Sequence, residues 1–140
     1  MIQKEASISG CGRYRYALHR WWGHGTTLGF IMLNPSTADA DIDDPTIRRC
    51  MGFARDFGYD GIRVFNLYAY RATKPADLWK ADEPTGGDRN DDLLREVLRQ
   101  AKHQPVIAAS HARCRKVDCP CTCGVGIHET DPQVWDGDQA

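Results

Sequence analysis

Leu28 to Thr46, reading LGFIMLNPSTADADIDDPT, is the stretch whose reading decides the fold. Leu28 to Leu33 is a continuous apolar run with no polar residue to turn outward. That is the composition of a strand buried on both faces, as in a sheet covered by helices on either side. Pro35 has no N–H for a ladder bond and biases Asn34 away from helical angles, so the strand stops there. A loop carrying Asp39, Asp41, Asp43 and Asp44 follows. Asp44-Pro45-Thr46 then reads as a helix start, with Asp44 as N-cap and Pro45 in the first helical position. Open α/β sheets place ligands where a buried strand empties into a polar loop before a helix, which makes this stretch the candidate site.

On the C-terminal side, Ile47, Cys50, Met51, Ala54 and Phe57 fall on one helical stripe, and Gly58 reads as its stop. Arg48 lies near the helix start, in position to pair with Asp44 or to hold an anion. Ile62 to Tyr68 reads as the next strand after a turn at Tyr59-Asp60-Gly61. A compact strand, helix, strand unit predicts a parallel crossover, which sets Asn66 to Tyr70 beside Asn34. Arg71 to Pro75 is a basic loop and Ala76 to Trp79 a short helical turn. Lys80 to Asn90 is loop-like, Asp91 to Lys102 a helix, and Val106 to Ala109 a small buried strand. On the N-terminal side, residues 1–12 read as an irregular lead-in. Arg13 to Trp22 alternates with period two, Tyr14, Tyr16 and Leu18 on one face and Arg13, Arg15 and His19 on the other. That pattern predicts a half-exposed edge strand with solvated charges, joined through Gly23-His24-Gly25 as an antiparallel hairpin onto the buried strand.

The expected architecture is therefore α/β, a mostly parallel central sheet flanked by helices, with an N-terminal hairpin strand. Residues 1–110 form a single domain, and residues 111–140 an irregular Cys-rich tail. A chain of 140 residues with 41% hydrophobic content supports one core of that size. A net charge of −1 supplies no global basic field for nucleic acid, leaving such binding to a local arginine patch. No apolar run reaches the roughly 20 residues of a membrane span, and MIQKEASISG lacks the apolar centre of a signal peptide. The expectation is a cytoplasmic protein with reduced thiols and no membrane partner. In that setting six cysteines point to metal, reactivity or packing before disulfides. Cys11 and Cys50 read as packing residues, and His19, His24 and His103 as surface residues.

MLNPSTADADIDDPTIRRC and GYDGIRVFNLYAYRATKPADL together resemble the bacterial and phage family catalogued as domain of unknown function 1643, over the middle two-thirds of the chain. A more distant similarity is to the uracil-DNA glycosylase superfamily. Leu33-Asn34-Pro35-Ser36 stands for its first motif, Phe65-Asn66-Leu67 for the later Asn strand, and Val106 to Ala109 for the Ala-rich strand. Met32 and Ser36 replace the usual glycines, and no His-Pro-Ser motif follows Ala109. That resemblance implies N-glycosidic hydrolysis with an incomplete C-terminal motif.

Under it, Asn34 holds the attacking water, Asp41 or Asp44 stabilises an oxocarbenium-like centre, and Asn66 reads a base edge. Tyr68 or Tyr70 supplies stacking to an extruded base, while Ser36, Thr37, Arg48 and Arg71 complete the ligand-binding set. The function expected is nucleotide or nucleic-acid binding at the loops after the two asparagine-bearing strands. The alternative is a non-enzymatic protein-binding or inhibitory module, such as a phage factor acting on a host protein. In the tail, Cys114, Cys119, Cys121, Cys123 and His128 offer soft ligands for a tetrahedral zinc ion, although C-x-C-x-C is not the usual C-x-x-C knuckle. Packing as irregular coil or disorder are the other readings of that tail.

Overall fold

The structure, a computed structural model, describes residues 1–108. Among the described residues, five strands form one mixed sheet: β1 (Gln3–Ile8), β2 (Arg15–Trp21), β3 (Leu28–Met32), β4 (Gly61–Asn66) and β5 (Val106–Ala108). Two helices, α1 (Pro45–Asp56) and α2 (Asp88–Arg99), cover it, and short 3₁₀ turns lie at Pro75–Lys80 and Gln100–Lys102. The strand order is β1-β2-β4-β3-β5.

The apolar run does form a buried internal strand, every residue of β3 being buried. Asp44 caps α1 as its sequence implies, accepting the Ile47 N–H at 2.9 Å, with Pro45 opening the helix. Ile47, Cys50, Met51 and Ala54 form the buried stripe. Phe57 is its exception: it is exposed, because the helix ends at Asp56. Gly58, at φ 81°, takes the left-handed turn that closes the helix, its N–H donating to Arg55 O and that of Tyr59 to Ala54 O.

β3 and β4 pair in parallel, with Met32 opposite Asn66, and β3 pairs in parallel with β5. The sheet as a whole is not mostly parallel. β2 lies antiparallel to β4, and β1 antiparallel to β2. The expected hairpin between β2 and β3 does not form. β2 instead pairs with β1, which its polar sequence concealed in the supposed lead-in, and docks on β4. There Gly61 allows the close approach: a Cβ on it would fall 2.6 Å from Arg20 O.

Because β2 is internal, its charges are not solvated. Arg20 is fully buried and Arg15 is 3% exposed. Ser7 pairs with Ala17 but Ile8 with Arg15, so Tyr16 is the extra residue of a bulge. The bulge breaks the period-two alternation and re-aims the residues before it. α1 packs with Leu18, Leu28, Phe30, Met32, Ile62 and Val64, whereas Val97 of α2 packs with Ala17, Ile31 and Phe65. The helices therefore cover opposite faces. Among the described residues, no helix is long and apolar enough to cross a membrane.

Candidate functional site

The chain leaves β3 for α1 on one face and leaves β4 for α2 on the other, and β4 and β5 flank β3 on opposite sides. The carboxyl ends of β3 and β4 thus bound a crevice at a topological switch point, where loops diverge and leave room for a ligand. The two loops are tied beside the rim by backbone bonds, Leu67 N–H to Met32 O, Tyr68 N–H to Leu33 O and Ala72 N–H to Pro35 O, each 2.9 Å. A third wall comes from the turn between β1 and β2, where Arg71 N–H donates to Arg13 O at 2.8 Å.

A cavity of about 310 Å³ lies between these walls, lined by Gly12, Arg13, Ser36, Thr37, Tyr70, Arg71, Ala72 and Thr73. Two guanidinium groups, three hydroxyls and a phenol border it, and none of its described lining residues is acidic. Arg71 is held as a fixed post by three long bonds, donating to Ser36 O at 3.4 Å, Thr37 O at 3.3 Å and Gly12 O at 3.2 Å. The exposed Arg13 guanidinium has no hydrogen-bond or ion-pair partner among the described residues. One positive group is anchored and the other free to close on a ligand, an arrangement suited to oxyanions.

Of the residues expected at the site, Ser36, Thr37, Tyr70 and Arg71 meet around this cavity. The others do not line it. Asn34 sits at the same rim, its amide donating to Ala72 O at 2.7 Å and Pro35 O at 3.0 Å. Asn66 is 1% exposed, and its Oδ1 faces Arg15 Nη2 at 3.5 Å. Its carbonyl accepts from Asn90 Nδ2 at 2.9 Å, a buried contact that pins the start of α2 to the exit of β4. Asp44 uses Oδ1 for its cap and Oδ2 for the Ala38 N–H at 3.2 Å. Asp41 is exposed, and its carbonyl accepts from Lys4 Nζ. Arg48 donates to the Asp43 carbonyl at 3.1 Å and not to the Asp44 side chain. Tyr68 packs edge-on to Trp79, with centroids 5.4 Å apart.

The Asp-rich loop is shaped from inside by arginines. Arg20 Nε donates to Asp43 Oδ1 at 2.7 Å, and its terminal nitrogens donate to the carbonyls of Glu5, His19, Asp39 and Ile42. Arg15 donates to Ala38 O at 3.0 Å, directly behind the Thr37 wall. Burial lowers the Arg15 guanidinium to about 10; the Asp44 charge opposes that and the Arg71 charge adds to it. Burial acts to raise the Asp43 carboxyl, but the Arg20 bond and charge, with Lys4, outweigh it and hold the group below its ordinary value. Backbone donation from Ile42 and Asp41 lowers Asp39 in the same way.

Arg13 and Gly12 were not singled out as site residues from sequence, because nothing there shows that the β1–β2 turn reaches this rim. The alternation of basic and aromatic residues from Arg13 to Trp22 is a sequence signal for Arg13 alone, since Gly12 precedes it. Cys11 in that turn is exposed rather than packed, 3.3 Å from the Ser9 hydroxyl, which lowers its thiol. Cys50 is buried, and burial pushes its thiol up. His24 and His103 are exposed, and His19 rests half-buried against Phe65. No three His, Cys, Asp or Glu side chains converge as a metal site among the described residues. Cys114, Cys119, Cys121, Cys123 and His128 lie outside those residues, as does the tail they belong to.

A family model, described as a protein of unknown function (DUF1643), matches residues 15–117. The chain belongs to the DUF1643 family. The match begins at the first residue of β2 and takes in every later strand and both helices, so the loops after β3 and β4 are part of what defines a DUF1643 chain. Comparison of this DUF1643 protein with curated proteins and with solved structures gave no match.

Proposed function

We propose that this protein binds a nucleotide or nucleic acid through its phosphate, at the cavity between the β3 and β4 loops. The carrying observation is a cavity at the switch point with no acid among its described lining residues, walled by Arg13 and Arg71 with Ser36, Thr37 and Thr73. Guanidinium groups and hydroxyls supply charge-assisted donors to phosphate oxygens, and Tyr70 offers an aromatic face for a base or sugar. A volume of about 310 Å³ stands at the lower end of small-ligand pockets, the size class of a mononucleotide.

Hydrolysis is not part of this reading. The amide nitrogen of Asn34 donates to two carbonyls, both oxygens of Asp44 accept backbone N–H groups, and neither residue lines the cavity. Asn34, Asp44 and Asn66 serve instead to hold the rim in shape. Uracil- and hypoxanthine-containing oligonucleotides are accordingly expected to remain without abasic sites.

Calorimetric titration with thymidine and uridine monophosphates at low ionic strength tests the proposal. Arg13→Ala should weaken binding about tenfold, equivalent to about 1.4 kcal/mol, with an unchanged melting temperature because the side chain is exposed. Equal affinity of the variant and the parent, or no heat with either nucleotide in the parent, contradicts it.

A further inference from the structure

Resting on the phosphate-binding reading above, we infer that the ligand is a single-stranded nucleic acid whose phosphate occupies the cavity while an adjacent base stacks on Trp79. Trp79 is 65% exposed, a large apolar surface that the described residues leave uncovered. A ring contact supports it. The Tyr68 ring meets it at 5.4 Å and 81°, an edge-to-face support for the indole on its 3₁₀ turn. An uncovered aromatic face is open to a flat partner.

Platform and cavity share one loop. Tyr68 stands two residues before Tyr70, and Thr73, the last lining residue, two before the 3₁₀ turn that carries Trp79. Lys74 lies between them in sequence, and Lys80 follows Trp79. Lys74 is exposed with no ion-pair partner among the described residues, and Lys80 is paired with Asp77 at 2.9 Å. The exposed carboxylates Asp82 and Glu83 follow on the next segment, whose Pro84 and Thr85 carbonyls accept from Tyr70 and Ala69. A cationic groove with an aromatic step beside it is the general design for unpaired strands, because every base has a stackable face. A duplex keeps its bases stacked internally and cannot use the step.

The test compares the octamer of deoxythymidine, the same octamer annealed to its complement, and thymidine monophosphate, each titrated into the full chain. The single strand should bind at least tenfold more tightly than the mononucleotide and more tightly than the duplex. Trp79→Ala should lower octamer affinity about tenfold and leave mononucleotide affinity unchanged, and Trp79→Phe should recover part of the loss. Melting curves confirm that the variants fold. Equal affinity for octamer and mononucleotide, or an octamer affinity indifferent to Trp79→Ala, overturns the inference. If the mononucleotide still binds in an Arg13-dependent way, the phosphate site stands without the platform; if no ligand binds the parent, both readings fall.

Discussion

Arg20→Ala should cost the folded state about 3–5 kcal/mol, the range for removing one partner of a buried ion pair. The guanidinium is wholly buried and donates to one carboxylate and four carbonyls drawn from β1, β2 and the Asp-rich loop. Truncation strands those acceptors and removes the main counter-charge of Asp43. Lysine cannot recover the loss, because a single ammonium does not reproduce the fork. Arg95→Ala makes the control: its pair with Asp92 is exposed on both sides, and its loss should cost under about 1 kcal/mol. Urea unfolding midpoints check the difference, and equal midpoints for the two variants would contradict the role given to Arg20. The same pair sets an acid limit. Asp43 lies below its ordinary value in the fold, so its contribution is complete above the unfolded carboxylate range near pH 4 and fades as pH falls through the lowered folded value. Asp43→Asn should flatten that acid loss.

Asp44→Ala should be the second costly change, at about 3 kcal/mol. A lost N-cap costs about 1 kcal/mol and an orphaned buried N–H, here that of Ala38, about 1–3 kcal/mol. The nearby Arg15 also loses the charge that opposes its desolvation. Asp44→Asn keeps one acceptor for the Ile47 N–H and should cost less than alanine. Thermal unfolding followed by circular dichroism separates the two, and a neutral Asp44→Ala would show that the cap contributes nothing to holding the loop.

Much of the central architecture was legible because it rests on local chemistry. The apolar run, Asp44-Pro45, the α1 stripe and Gly58 each carry their own instruction, and the compact β3-α1-β4 unit brought Asn34 and Asn66 to one rim. What escaped depends on distant partners. β1 is polar at its first three positions and exposes them, so no alternation marked it. Arg15 reads as solvated, and the burial of Arg20 goes unseen, because burying arginine requires acceptors supplied by a loop 23 residues away. The bulge at Tyr16 leaves no signature in residue type. At the site, Ser36, Thr37, Tyr70 and Arg71 were accessible from loop position alone, whereas Arg13 entered only through the antiparallel β1–β2 turn. Residue type alone marks Asn34 and Asn66 as reactive candidates; the carbonyls that Asn34 holds and the Arg15 contact of Asn66 arise only where the loops meet.

Amide chemical-shift mapping during titration with thymidine monophosphate tests the phosphate site most directly. The account predicts that shifts concentrate at Gly12, Arg13, Ser36, Thr37, Arg71 and Thr73 and saturate together. Shifts scattered over α1 and α2, or an unchanged spectrum at millimolar nucleotide, would contradict it.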